Sequence, residues 1–355
     1  MKRIKLKIAV LHDYYATFGG GEKYSLELAK RYNAPIYTYS LIKTYRDIEK
    51  LKVNKCTRPI MTWPIRVFML KNFFSSLNLK GYDIVFANGF HSIYAGLQNE
   101  NIIWINGHVS KAFYKDKSPI MPRLNPIKEA LIKLLIHSYL GQYANAIKRL
   151  KKIFAISNYH KDLLQKIFGV RCDVLYPFVD TTKFYYRKSE DYYLSVGRLV
   201  SNKRIDILIK AFKNLRDRLV IVGDGPEKKY LMKLANGAPN IEFLGAKTGK
   251  ELYELYARCK AFLFSAYYED FGLVPVEAMA AGKPVIAVNE GAIPEIVTKN
   301  VGFLIRPLPE DFRRVILSLR GKDLSHMRKA CQRRAKLFDK KVYFKKIDNL
   351  LKQFA

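Results

Sequence analysis

The sequence predicts an α/β protein made of two parallel-sheet domains. Three observations carry this expectation. The chain has 355 residues, 49% of them hydrophobic and 26% charged, which is the composition of a folded protein and the length of two ordinary domains. Short apolar runs alternate with helical segments through both halves, as expected of a parallel sheet covered by helices. The alternation pauses once, at Tyr176-Pro177-Phe178-Val179-Asp180, and a charged stretch from Arg187 to Asp191 precedes the next apolar run.

In the first half, Ile8-Ala9-Val10-Leu11 reads as a strand, Gly19-Gly20-Gly21 as a turn, and the spacing of Leu26, Leu28 and Ala29 as a helix. Ile84 to Ala87, Ile102 to Ile105 and Ile153 to Ile156 continue the strands. In the second half, strands are expected at Tyr193 to Val196, Leu219 to Val222, Ile241 to Leu244, Ala261 to Ser265 and Val285 to Val288. Helical segments separate them at Ile205 to Asn214, Glu227 to Ala235, Leu252 to Cys259 and Leu273 to Ala281. The expected domains are residues 1–180 and 181–335, followed by a terminal segment, 336–355. In such sheets ligands sit beyond the carboxyl ends of the strands, so two facing domains would hold the active site in the cleft between them.

The formal charge is +32, from 63 Lys plus Arg against 31 Asp plus Glu. Such a field draws polyanions, whether nucleic acid, anionic lipid or phosphorylated small molecules, and a plain solvated surface of Lys and Arg accounts for it equally well. No zinc finger, RNA-binding aromatic signature or repeated helix-turn-helix is present, which argues against nucleic acid. The basic start, Met1 to Lys7, is followed by an apolar run that ends at His12-Asp13, too short for a signal peptide or a membrane span. A cytoplasmic protein is therefore expected. Cys56, Cys172, Cys259 and Cys331 form no C-x-x-C pair and are read as ordinary buried thiols. The stretch Ile120 to Phe154 carries Arg123, Lys128, Lys133, Lys148, Arg149, Lys151 and Lys152 among leucines and isoleucines, and Trp63 to Phe74 has a similar character. Both suit a peripheral contact with an anionic membrane on the inner face of the cell, and core-facing helices explain the same apolar residues.

The densest chemical signal is Tyr268-Glu269-Asp270-Phe271-Gly272-Leu273-Val274-Pro275-Val276-Glu277-Ala278. Glu269 and Glu277 flank a strand-to-helix turn. If the helix begins near Leu273, its first N–H groups and the positive end of its dipole form a site for a phosphate or a sugar hydroxyl. A carboxylate also accepts two hydrogen bonds from a cis-diol. A helix-start carboxylate and a solvated helical face are the alternative roles for the pair. Pro275 falls within the first helical turn, where no N–H is required.

This segment, continuing through Met279-Ala280-Ala281-Gly282-Lys283-Pro284-Val285-Ile286-Ala287, resembles the E-x7-E segment of family 4 of the retaining glycosyltransferases. Four further stretches resemble the same family. Gly197-Arg198-Leu199-Val200-Ser201-Asn202-Lys203 matches its G-R-L-x-x-x-K segment, Val222-Gly223-Asp224-Gly225-Pro226 its V-G-D-G-P turn, and Ile241 to Gly245 with Ala246-Lys247 the strand and loop bordering the nucleotide base. His12-Asp13 with Gly19-Gly20-Gly21-Glu22 resembles its N-terminal opening. His108 stands where the GDP-mannose-dependent mannosyltransferase branch carries H-x-P-x-R, with Ser110 and Ala112 in place of Pro and Arg. In Gly291-Ala292 the second of two usual glycines is replaced.

The resemblance implies the GT-B fold, two facing Rossmann-like domains with a C-terminal helix, 336–355, returning toward the first, and a hexose transferred with retention from GDP-mannose or a UDP-sugar to a glycan or lipid-linked acceptor. It implies no cofactor and no bound metal. Arg198 and Lys203 would neutralise the departing diphosphate. Glu269 would hold the sugar and Glu277 the ribose, with Gly197, Gly223, Ala246, Lys247, Phe271, Gly272 and Leu273 completing the donor site. Gly20 and Gly21 would approach the diphosphate or the acceptor. His108 would touch the donor sugar or polarise the reacting hydroxyl. His91 is a second candidate of the same kind. Because fold does not guarantee activity, a silent nucleotide- or glycan-binding protein and a sugar-nucleotide epimerase remain the rival expectations.

Overall fold

The computed structural model describes residues 6–15, 20–41, 53–55, 65–110 and 140–354. The chain divides into two compact units. Among the described residues, the first holds those up to 110, 140–175 and the tail from Lys346, and the second holds Tyr176–Lys345.

The first unit carries β1 (Ile8–His12), α1 (Gly20–Tyr32), β2 (Ile36–Thr38), β3 (Val53–Lys55), α2 (Ile65–Ser75), β4 (Ile84–Asn88), β5 (Ile102–Gly107), β6 (Lys152–Ala155), α3 (Asn158–Phe168) and β7 (Asp173–Val174). The strands form one sheet in the order β3-β2-β1-β4-β5-β6-β7, every described pairing being parallel. β1 and β4 are buried along their whole length, which explains why they read as unbroken apolar runs. The order reverses between them, and such a switch point opens a crevice at the carboxyl ends of the two strands. His12 and Asn88 pair at that edge.

The second unit carries β8 (Tyr192–Val196), α4 (Ile205–Phe212), β9 (Arg218–Val222), α5 (Lys228–Ala235), β10 (Ile241–Gly245), α6 (Gly249–Arg258), β11 (Ala261–Phe264), α7 (Leu273–Ala280), β12 (Val285–Val288), α8 (Ile293–Ile296), β13 (Gly302–Ile305), α9 (Pro309–Ser318) and α10 (Arg328–Lys336). The sheet order is β10-β9-β8-β11-β12-β13, again parallel. Its switch point lies between β8 and β11, the two strands that precede the G-R-L and E-x7-E segments. A last helix, α11 (Lys340–Leu351), ends in residues grouped with the first unit. There Asp348 accepts hydrogen bonds from Arg31 Nη2 at 2.5 Å and Tyr32 Oη at 2.8 Å.

Two details differ from the sequence reading. Gly20 and Gly21 lie in the first turn of α1 rather than in the turn before it; the opening N–H groups of a helix have no partner within it, so glycine is tolerated there. β2, β3, β7 and β13 are not among the strands read from the sequence: the first three carry two or three residues each, too few for a pattern to stand out, and β13 opens on a glycine and leaves Leu304 exposed.

Candidate functional site

The turn after β8 is shaped by glycine. Gly197 N–H donates to Val222 O at 3.0 Å and Leu199 N–H to Asp224 O at 2.9 Å, which binds the G-R-L turn to the V-G-D-G-P turn. Gly223 has φ +146°, and a Cβ there would lie 1.8 Å from Gly197 O; one at Gly225 would lie 2.4 Å from Leu199 O. Both positions therefore require glycine for this close approach. Gly197 itself faces open space, and a Cβ on it would meet nothing within 4 Å. Arg198, next to it, is exposed and has no ion pair among the described residues.

Lys203 and Glu269 meet. Lys203 Nζ donates to Glu269 Oε2 at 2.7 Å, with about a fifth of each side chain exposed (23% and 21%). The neighbouring Arg204 adopts left-handed backbone angles, φ 48° and ψ 42°, an unusual state for a non-glycine residue that surrounding contacts must hold. Those contacts are present: its guanidinium donates to Ser265 O at 2.9 Å, Ala266 O at 3.3 Å and Glu290 Oε2 at 2.5 Å. Ser265 Oγ in turn donates to Lys203 O at 2.8 Å. The backbone of Glu269 is pinned as well, since Ala292 N–H donates to its carbonyl at 3.0 Å. Gly291, at φ +60°, approaches so closely that a Cβ would stand 2.5 Å from Glu269 O. The tight approach thus rests on Gly291 alone, and Ala292 at φ −85° accommodates its methyl group in the core.

Gly272 caps α7 at φ 100°. Phe271 before it is buried, its ring 5.7 Å from Tyr176 and 5.4 Å from Phe338. Leu273 opens the helix, Pro275 lies within its first turn, and Glu277 is half-buried one turn further on. Glu277 Oε2 accepts a hydrogen bond of 2.8 Å from the hydroxyl of Tyr256 on α6, a partner that no local pattern pointed to. Ala246 and Lys247 follow β10, and Lys247 pairs with Glu251 at 3.2 Å, one helical turn along.

In the first unit, Asp13 organises the loop after β4. Its carboxylate accepts N–H groups from Phe90 at 3.0 Å, His91 at 2.9 Å and Ser92 at 2.9 Å, and His91 Nδ1 lies 3.0 Å away. Burial raises its pKa, but the hydrogen bonds and charge of His91 outweigh that and hold it below the ordinary 3.8. Gly89 is required beside it, because a Cβ would sit 2.2 Å from Asp13 Oδ1. Trp104 Nε1–H donates to Gly89 O at 3.1 Å. Gly21 lies near His12, whose Nδ1 donates to Asn88 O at 2.6 Å. His108 Nδ1 donates to Asn106 O at 2.9 Å, and the Phe90 ring stands between 5 and 6 Å from both His91 and His108 (5.3 and 5.7 Å).

Other expectations fall outside the site. Cys259 and Cys331 are buried thiols whose pKa values burial pushes up to about 12, and Cys56 lies outside the described residues. So do Arg123, Lys128, Lys133 and Trp63. In the remainder of the proposed membrane surface, Leu70 and Phe74 turn into the core, while Ile65 and Phe68 are 50% and 63% exposed. No helix among the described residues is long and apolar enough to cross a membrane.

Residues 182–338, which hold the G-R-L turn and both glutamates, match the family described as glycosyl transferases group 1. An uncharacterized glycosyltransferase of Methanocaldococcus jannaschii is 30% identical over 262 residues, covering 70% of this chain and 74% of its own length. The chain belongs to the group 1 glycosyltransferases. A GDP-mannose-dependent alpha-mannosyltransferase of Mycobacterium tuberculosis is 39% identical over 115 residues, which is 32% of this glycosyltransferase and 30% of that relative. Among solved structures, Anabaena HepE in complex with UDP and glucose superimposes with a TM-score of 0.76 at 20% identity, covering 98% of this glycosyltransferase and 99% of that chain. Sucrose-phosphate synthase of Thermosynechococcus elongatus gives a TM-score of 0.78 at 16% identity over 98% of both chains. These likenesses place the glycosyltransferase in the GT-B fold class.

Proposed function

We propose that this glycosyltransferase moves a hexose, mannose in preference, from a nucleoside diphosphate sugar to a glycan or lipid-linked acceptor, with retention and without a metal or other cofactor. The observation that carries the proposal is the ion pair of Lys203 and Glu269 on the turns that follow two adjacent strands, with the start of α7 beside it. An ammonium has three N–H donors, and Glu269 takes one. The others serve the donor diphosphate together with Arg198, while Glu269 holds the sugar and Glu277 the ribose. Fixed cations stabilise the charge that gathers on the leaving diphosphate. A donor phosphate oxygen takes the acceptor's proton as the glycosidic bond to phosphate breaks, so no enzymic nucleophile is required. GDP-mannose is favoured as donor by the match to a relative named for its dependence on it, and a UDP-sugar by the UDP and glucose held in HepE.

The first unit is proposed to take the acceptor, with His108 giving or taking a hydrogen bond at a sugar hydroxyl. Exposed Ile65 and Phe68, and the exposed cations Lys148, Arg149 and Lys151, suit peripheral contact with an anionic membrane on the cytoplasmic side. The test is product analysis by mass spectrometry after incubation with a panel of nucleoside diphosphate sugars and lipid-linked acceptors. A hexosylated product, lost when Lys203 becomes alanine, is the expected result. Conversion of donor alone into its epimer, or nucleotide binding with no product over the whole panel, would overturn it.

A further inference from the structure

We infer that Tyr256 is the positioning residue of the ribose subsite: its hydroxyl fixes the Glu277 carboxylate so that it receives the diol of the donor's ribose. The inference rests on the donor-site reading above and adds a residue to it.

Tyr256 lies in the last turns of α6 and is completely buried, its ring packed against Phe184 at 5.7 Å and Phe262 at 5.6 Å between centroids. A tyrosine so enclosed has no rotational freedom to spare, and its one polar atom must find a partner. It finds Glu277 Oε2, 2.8 Å away. Burial, then the carboxylate itself, push the phenol's pKa well above the ordinary 10.0, so the hydroxyl remains a donor throughout the working range of pH. Glu277 is only half-buried and stands on α7, five positions into a helix whose start follows the Glu269 turn. A glutamate side chain has three rotatable bonds, and an unsupported one on a helix surface samples several rotamers. The Tyr256 bond favours the rotamer that keeps Oε2 at 2.8 Å from its hydroxyl before any ligand arrives. That is preorganisation, and it acts on affinity by removing the cost of ordering the carboxylate on binding.

The prediction is specific to the ribose hydroxyls. The wild-type protein should bind UDP or GDP, whichever is the tighter, about tenfold better than the corresponding 2′,3′-dideoxy nucleotide, the scale of one hydrogen bond to a charged group. Tyr256→Phe keeps the ring and deletes the hydroxyl. Calorimetric titration of this variant, with a thermal melt to establish that it is folded, should show the ribonucleotide weakened to near the dideoxy level. Affinity for the dideoxy nucleotide should be unchanged. If the gap between the two nucleotides survives in Tyr256→Phe, or if both lose affinity equally, the positioning role is wrong and the tyrosine is packing alone. Failure of the wild type to distinguish the two nucleotides would overturn the ribose role of Glu277 and this inference with it. Failure of the wild type to bind any nucleotide would instead sink the donor-site reading.

Discussion

Lys203 Nζ lies 2.7 Å from Glu269 Oε2, joining the turn after β8 to the turn after β11 across the switch point of the second sheet. The pair is only partly exposed, which strengthens it relative to an ion pair in open water, and the two residues are 66 positions apart in sequence. Either partner alone resembles one more charged residue in a chain rich in them. Together they set a cation and an anion at fixed places, the ammonium able to donate to the phosphate oxygens and the carboxylate to accept from the sugar hydroxyls of the proposed donor.

Removal of either charge should therefore affect turnover more than folding. Lys203→Ala and Glu269→Ala are each expected to lower product formation by about tenfold or more, with thermal melts close to wild type, as read by a steady-state donor assay. Wild-type turnover in both variants would contradict these roles.

Gly197 of the G-R-L turn and Gly223 of the V-G-D-G-P turn should separate folding from binding. Gly223→Ala forces a methyl group against Gly197 O, at 1.8 Å, on a backbone with φ +146°, and a loss of stability on the order of 3 kcal/mol is expected in urea denaturation. Gly197→Ala meets nothing within 4 Å and should melt like the wild type, yet bind nucleotide more weakly because the added methyl group occupies the diphosphate's approach.

Lys283 gives the second unit a measurable response to alkali. Its ammonium is buried, donating to Arg187 O at 2.9 Å and Ser189 Oγ at 2.8 Å and lying 4.3 Å from the centre of the Tyr186 ring. Burial lowers its pKa from 10.5 to about 8. Between those values the unfolded chain holds the proton more firmly than the folded one, so this group's contribution to stability rises with pH over that window. Cys259 and Cys331, pushed up from 9.0 to about 12, act in the opposite direction. The comparison is therefore wild type against Lys283→Met: the difference in stability should move in favour of wild type from pH 8 to 10, and a constant difference would refute the assignment.

Asp13 should act at the acid end. Its folded pKa lies below 3.8, so its stabilisation is fully present above the unfolded value and is lost as the pH falls through the folded one. Asp13→Asn is expected to cost about 2 kcal/mol at neutral pH, a gap that closes as the pH falls below 3.8 and through the folded pKa. Persistence of the full gap in acid would show that the carboxylate's charge plays no part in clamping Phe90, His91 and Ser92.

Most of the fold was legible because its central strands are buried on both faces. β1, β4, β8, β11 and β12 read as apolar runs, and the alternation with helices gave the parallel topology. β13 was not legible: Gly302-Phe303-Leu304-Ile305 is an edge strand that opens on a glycine and leaves its leucine exposed, so it lacks the continuous apolar run of the buried strands. The site divided in the same way. Arg198, Lys203, Glu269 and Glu277 stood in local patterns, the first three between a strand and the helix that follows it and Glu277 inside α7. The hydrogen bond from Tyr256 to Glu277 spans 21 residues, and the grip of Asp13 on the 90–92 loop spans 77 to 79. Such partners are set by the packing of one element on another, which the sequence near either residue does not encode.

The central claim is that the second unit holds a nucleoside diphosphate sugar through Lys203 and Glu277. Its most direct test is isothermal titration of UDP, GDP, ADP and their sugar conjugates into the wild type, Lys203→Ala and Glu277→Ala, with the exposed Lys329→Ala as control. One preferred nucleotide is predicted, its affinity reduced about tenfold in the two site variants and unchanged in the control. Absence of binding by the folded wild type, or equal affinity in all four proteins, would contradict the account.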